Sequence, residues 1–464
     1  MAVSNLNPDA ITVAIVQGPT TWVQWLPILP VVLCLTGGAV LLMIREHTRH
    51  HAIIALTVLG ALVLLDAMLL YHVASIGPLT VMMGRWIAPF GIAFTVDITG
   101  ALFALSSAIV AFAGGVYALG DINTSARRYG FFPFLLVLMA GVSGAFLTGD
   151  LFNLYVWFEV LLISSFGMLI LGSEREQIDG ALKYAILNLI ATTLFLLSVG
   201  FVYAAFGTLN MADIARKAND LRDTAPLLTI ATLFTLAFAM KAAAFPVNFW
   251  LPASYHTPRI VVSALFAALL TKVGIYSLIR VVAMLLPVER EALSLVLGIV
   301  AAATMVLGAL GALAQSDTRK LLGFIVISGI GSMLAGIAIG GLQGLSATIF
   351  YALHSILLMA ALYFVIGQAG RMAGDFSLHG LAGIYRVAPA FSFISLALFF
   401  AASGLPPFSG FWPKAMLLKA SLDIGAWWLA ASILLAGFIT TITLARVFLL
   451  AYWRAEPAIA AGGH

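Results

Sequence analysis

Five ionisable residues lie within or beside long apolar runs, and their types suit proton handling: Glu159, Lys241, Lys272, His354 and Lys414. Glu159 sits inside the run at 151–171, Lys272 halfway along 260–285, and His354 near the middle of 346–367. A lysine or an acid at mid-membrane costs about 2.5–3.5 kcal/mol on insertion scales, so such a residue does not face lipid by choice. Desolvation lowers a lysine's proton affinity and a neighbouring carboxylate restores it, so a charge that comes and goes loads or releases a proton. Histidine titrates near neutrality and both donates and accepts. A Glu–Lys–Lys–His–Lys row therefore reads as a proton wire. Each member also has a plainer reading. Glu159 and Lys241 would form a static ion pair, Lys272 a fixed hydrogen bond, His354 a packing contact, and Lys414 a snorkelling cation. Asp66, Arg280, Lys419 and Arg446 lie nearer the ends of runs and read as snorkelling or capping residues. Asp150 reads as a helix start and Asp317 as part of a solvated loop.

The elements that must hold these residues are membrane helices. Of 464 residues, 62% are hydrophobic and 9% are Asp, Glu, Lys or Arg. A soluble domain carries about 25% charged residues. Thirteen apolar runs are long enough to cross a hydrocarbon layer, at 25–44, 52–71, 98–119, 131–147, 151–171, 184–205, 226–245, 260–285, 292–314, 321–339, 346–367, 388–420 and 427–452. Two are broken: one ends at Lys241-Ala-Ala-Ala-Phe-Pro246, and another contains Gly404-Leu-Pro406-Pro407 before Lys414. Proline frees backbone carbonyls, which are tolerated only inside protein or beside a wet cavity. Two ordinary kinks would look the same, but paired breaks mark inverted-repeat transporters, and a lysine stands beside each. The expected fold is an all-α polytopic membrane protein of 13–14 transmembrane helices. It would contain two inverted five-helix repeats, at roughly 131–285 and 292–453, each with a broken helix. Residues 1–97 would hold the N-terminal helices and a short external hairpin over 84–94, residues 98–454 the translocating domain, and 455–464 a tail.

Basic residues cluster in alternate loops (Arg45 and Arg49, Arg127 and Arg128, Arg175 and Lys183, Arg319 and Lys320, Arg371 and Arg386), which places the N-terminus outside. The chain is expected in a bacterial inner membrane, surrounded by lipid. Nothing before Gln24 resembles the basic start of a cleavable signal. A net charge of +4, thinly spread, argues against nucleic-acid binding, and the single cysteine, Cys34, excludes a disulfide framework and cysteine-based metal sites. Only His354 is deep among the histidines, so a bis-histidine haem site is not expected, nor is another cofactor.

The ordered set Gly149-Asp-Leu-Phe-Asn-Leu-Tyr-Val-Trp-Phe-Glu159, Leu182-Lys183-Tyr184, Lys241 to Pro246 with Pro252 and His256, Lys272, Gln315-Ser-Asp317 through Gly323, and Ser403 to Lys414 carries a resemblance. It resembles the antiporter-like, proton-translocating subunits shared by respiratory complex I and the Mrp multisubunit cation/proton antiporters, over roughly 97–454. Lysine rather than glutamate at position 414 is most similar to the D-type Mrp subunits. The resemblance implies an input pair in Glu159 and Lys241, a central relay in Lys272 and His354, and an exit lysine in Lys414. Lys183, His256 and Asp317 are secondary candidates. It also implies a transporter rather than an enzyme, assembled with other Mrp subunits and exchanging H+ for Na+ or K+. A proton-pumping membrane subunit of a redox-driven complex, of the NADH–quinone oxidoreductase or membrane hydrogenase kind, is the alternative. Three features depart from the pattern: no fourteenth run follows Tyr452, Leu358 stands where some relatives have lysine, and the run at 321–339 is less polar than usual.

Overall fold

The computed structural model describes residues 15–16 and 21–455, so the expected tail from 456 lies outside the described residues. Every apolar run becomes a helix because a backbone in hydrocarbon satisfies its own polar groups only that way. The main helices are α1 (Leu29–Met43), α2 (Thr48–Ser75), α3 (Ile98–Asp121), α4 (Phe131–Leu147) and α5 (Leu151–Leu169). Next come α6 (Arg175–Phe206), α7 (Leu227–Ala242), α8 (Trp250–Tyr255) and α9 (Ile260–Leu285). The rest are α10 (Ser294–Ala314), α11 (Thr318–Ile339), α12 (Gly341–Ala373), α13 (Pro389–Ser403), α14 (Phe411–Asp423) and α15 (Trp427–Trp453). Among the described residues nine of these are long and apolar enough to cross a membrane, and α1, α4, α7 and α13 are shorter apolar helices. Two of the short ones, α7 and α13, are those that precede the proline interruptions.

The residues group into two compact units. The first comprises Met1–Leu171, Ala185–Ala239 and Tyr276–Ala292; the second comprises Gly172–Tyr184, Met240–Ile275 and Leu293–His464. In the first unit small residues let helices approach closely. A Cβ on Gly37 would stand 3.0 Å from Val58 and 3.1 Å from Leu136, and one on Gly115 would stand 3.1 Å from Leu59. The hairpin is real but displaced from its expected place. Strands β1 (Leu79–Met82) and β2 (Ala93–Val96) pair antiparallel, with Leu79 opposite Val96, and most of 84–94 is the loop between them. The weak alternation belongs to that loop, and the residues that pair flank it.

A half-buried clamp ties β2 to the end of α9. Asp97 caps α3 by accepting from the Gly100 N–H at 2.8 Å, and the Arg280 guanidinium grips both its carboxylate oxygens. Arg280 Nε also donates to the Tyr276 hydroxyl at 2.9 Å, which donates to the Phe146 carbonyl at 2.8 Å. Arg280 is thus an ion-pair partner on the π-helical last turns of α9, Leu278–Leu285, and not a snorkelling residue. Asp66 corrects the same reading more sharply: it is wholly buried.

In the second unit α10 and α11 meet through Gly308, whose Cβ would lie 2.6 Å from the Ser328 nitrogen. Arg446 on α15 caps α10 by donating to the carbonyls of Leu313 at 2.5 Å and Gln315 at 2.6 Å, as its position near a helix end suggests.

Breaking a fully buried pair costs roughly 3–5 kcal/mol because the surviving charge is left without a partner, and a half-buried pair costs less. Arg280→Met is expected to destabilise the protein by about 1.5–3 kcal/mol, the worth of a hydrogen bond to a charged group, read as a lowered unfolding midpoint in detergent. Adding Asp97→Asn should recover most of the loss; no recovery would show that the clamp is not the source.

Candidate functional site

The second unit holds four of the five row residues, Lys241, Lys272, His354 and Lys414, and the last two line one cavity. At the second break α13 stops at Ser403, Gly404 turns into the left-handed region at φ +81°, and α14 restarts at Phe411. The Lys414 ammonium reaches back to donate to the carbonyls of Ala402 at 3.1 Å and Ser403 at 2.7 Å. These are among the last carbonyls of α13, which have no intrahelical donor. Its side chain lies across Gly404, where a Cβ would fall 2.6 Å from Lys414 Cδ, and His354 Nε2 stands 3.0 Å from where a Gly410 Cβ would be.

His354 and Lys414 line one cavity of about 20 Å³ together with Ser328, Ser332, Tyr351 and Thr440. A water needs about 10–15 Å³ on this measure and two to four polar partners, so the cavity suits one water between imidazole and ammonium. On its other side Lys414 borders a wider, mostly apolar cleft of about 590 Å³, rimmed by the Lys419–Asp423 ion pair. Lys414 is half-buried between the two spaces rather than snorkelling.

Lys272 is completely buried on α9, and its ammonium donates to the Ala267 carbonyl at 2.5 Å. Lys241 is 7% exposed at the last turn of α7. Two residues on, Ala243 takes φ +62°, a left-handed conformation that a residue with a Cβ rarely adopts. The first break is pinned by the Trp250 indole donating to the Met240 carbonyl at 3.3 Å and by the Phe245 N–H donating to Thr304 Oγ1 at 3.0 Å. Both breaks carry a cis proline, at Pro246 and at Pro407, and Pro406 precedes the latter. Glu159 belongs to the first unit, half-buried on α5, with the Tyr155 hydroxyl hydrogen-bonded to it one turn earlier.

The secondary candidates take other places. Lys183 is exposed and pairs with Asp179 at 2.5 Å along its own helix. His256 ends α8, with Nδ1 2.7 Å from the Pro252 carbonyl. Asp317 is no loop residue. It caps α11, accepting from the N–H groups of Arg319 and Lys320, and pairs with the Arg319 guanidinium at 2.9 Å. Asp150 caps α5 in the same way, as expected of a helix start.

Ser328, Ser332, Tyr351 and Thr440 do not stand out in the sequence. A signal is there, since Ser328 and Ser332 are one turn apart on α11 and Tyr351 stands three residues before His354. The apparent apolarity of the run at 321–339 conceals it.

Residues 148–440 match the family model described as "NADH:quinone oxidoreductase/Mrp antiporter, TM". The chain is 35% identical over 429 residues to the D-type subunit of the Na+/H+ antiporter of Alkalihalophilus pseudofirmus, covering 92% of this chain and 87% of the relative. It is 33% identical to the corresponding protein of Bacillus subtilis over the same shares. Among solved structures, a chain of the Mrp complex from Dietzia sp. DQ12-45-1b superimposes with a TM-score of 0.88 at 30% identity, covering 95% of this chain and 82% of that one.

Two substitutions probe the caps and the break. Gly404→Ala must place a Cβ both in the left-handed region, at a cost of about 1–2 kcal/mol, and against Lys414. It is expected to lower the unfolding midpoint. Asp317 is a cap whose carboxylate is raised by burial but lowered further by the Arg319 hydrogen bond and charge, for a net depression. Its contribution is therefore complete at neutral pH and lost as pH falls through the depressed folded value, below the ordinary figure of about 3.9. The difference in unfolding midpoint between wild type and Asp317→Asn should be full at neutrality and shrink below about pH 4.

Proposed function

The chain belongs to the NADH:quinone oxidoreductase/Mrp antiporter membrane family, among its D-type Mrp subunits, and we propose that it conducts the protons of its complex along Glu159, Lys241, Lys272, His354 and Lys414 in exchange for Na+ or K+. As a cation/proton antiporter subunit it is a multi-pass membrane protein that works beside other Mrp subunits. Glu159 and Lys241 form the input pair, Lys272 and His354 the relay, and Lys414 the exit. The N-terminus faces outside, in keeping with the basic loops on the opposite side.

The observation that carries the reading is the pair of spaces at Lys414. A one-water polar cavity joins it to His354, and a wider cleft lies beyond. A proton passed through that water to the amine has somewhere to go next. Lys272 supports the same reading, since an ammonium buried so completely is costly unless its charge is temporary.

An internal duplication accounts for the order of elements. Each proposed repeat has a second helix capped by aspartate (Asp150, Asp317), and each of these bridges to a residue at the same sequence distance downstream (Asn210, Ser377). In each, the fourth helix is broken at proline and the fifth ends in a π-helical turn.

A redox-driven complex is the competing setting, because a chain of the membrane-bound sulfane sulfur reductase superimposes equally well, with a TM-score of 0.88 at 25% identity over 94% of this chain and 90% of that one. Neighbouring genes for small antiporter subunits favour exchange; genes for Fe–S or flavin subunits favour pumping. In everted vesicles from cells expressing the complete gene set, Lys241→Ala should abolish cation-driven proton movement while companion subunits remain in the membrane at wild-type levels. Unimpaired exchange by this variant would overturn the proposal.

A further inference from the structure

One buried acid has no part in that row. Asp66 on α2 is 0% exposed, and neither carboxylate oxygen has a hydrogen-bond partner among the described residues. Beyond the buried His51 at its start, it interrupts an apolar stripe, Ala52, Ala55, Leu59, Leu62, Leu69 and Val73, that α2 turns inward.

The helices packed on α2 in the first unit place two more orphaned groups at its level. Leu59 meets Gly115 of α3, and Gly60 meets Phe112, so the two helices run antiparallel. Two turns from Leu59 along α2 lies Asp66; about two turns back from Gly115 along α3 lies Ser107. Gly37 of α1 touches both Val58 of α2 and Leu136 of α4, and about two turns further along those helices lie Asp66 and Ser143. Ser107 and Ser143 are 0% and 1% exposed, and among the described residues their hydroxyls have no partner either. Many other buried helical hydroxyls return to their own backbone, as Ser164 does to Val160 at 2.7 Å and Thr443 to Ile439 at 2.8 Å, though Thr271 on α9 also has no partner among the described residues.

The charge surrounding this level is simple. α3 has no charged side chain between Asp97 and Asp121, α4 has none, and α1 offers only the thiol of Cys34, within electrostatic range of Asp66. On α2 itself the nearest ionisable neighbours are Tyr71 and His72, about one and a half turns away, and Tyr71 is exposed. A lone buried carboxylate without a partner is among the costliest arrangements in a membrane core. One bound positive charge balances it, and a divalent ion would leave an excess. Two hydroxyls and a carboxylate are hard oxygen ligands.

We propose that Asp66, Ser107 and Ser143 form a second cation site in the membrane core, occupied by one exchangeable monovalent cation held on oxygen, a proton or Na+. It shares no residue with the row that ends at Lys414, and it does not depend on the role proposed for that row.

Carbodiimide modification tests it, because dicyclohexylcarbodiimide reacts with protonated carboxyls in apolar surroundings. Membranes carrying the full-length chain and its companion subunits are treated in Na+-free buffer, and adducts are mapped by mass spectrometry. Asp66 should be modified, more so as pH falls, and Asp66→Asn should lack the adduct. Protection by NaCl but not by choline chloride identifies Na+ as an occupant. Ser107→Ala should then raise the Na+ concentration for half-protection about three- to tenfold, the worth of one such oxygen. Dependence on pH without Na+ protection identifies the proton as the occupant. Asp66 left unmodified while another carboxyl is labelled, or labelling indifferent to both pH and Na+, overturns the proposal.

Discussion

Hydrocarbon offers no hydrogen bonds, so every interruption of a helix must be answered from within the protein, and the two broken helices are where that rule shapes the site. At the second break the answer is Lys414, which takes the carbonyls of Ala402 and Ser403. At the first it is shared between Trp250, which takes the Met240 carbonyl, and Thr304, which takes the Phe245 N–H. A lysine that also caps a helix is held in place by backbone it cannot abandon. Those bonds do not require the charge, since a neutral amine would still have two N–H donors for the two carbonyls.

The loops obey the same accounting. Arg454 donates to the carbonyls of Leu378, His379 and Leu381, and Thr318 donates to the Phe376 carbonyl, so the connection after α12 is tied to the helices around it. Asp317 opens α11 and bridges to Ser377 in that connection. The start of the helix carrying Ser328 and Ser332 is therefore fixed, and with it the polar wall of the one-water cavity.

Much of this was legible in the residues. The apolar runs foretold the helices because hydropathy alone decides what enters a bilayer. Pro246 and Pro406–Pro407 foretold the breaks because a missing N–H cannot be hidden. Capping by Asp150 and Arg446 followed from position. What escaped was whatever depends on which helix faces which. Asp66 seemed close enough to a span end to reach water, but α2 runs on to Ser75 and turns it inward. Asp317 looked like one charge in a basic loop, and only the backbone shows it caps a helix. The serines of α11 and Tyr351 have no pattern of their own until α11, α12, α14 and α15 meet around them.

The basic residues divide by chemistry in a way that bears on the relay. Each deep basic residue of the proposed row is lysine or histidine, which can give up a proton. Arginine cannot, and its planar fork suits static recognition. Three of the arginines are found in such clamps: Arg280 grips both oxygens of Asp97, Arg446 takes two carbonyls at the end of α10, and Arg319 pairs with Asp317. An arginine at position 414 would still satisfy Ala402 and Ser403 but would hold its charge permanently against His354. Under the proposed row, such permanent cations fix helices, while Lys414 and His354, which can discharge, line the small polar cavity, a division that would let the bundle stay rigid while protons pass.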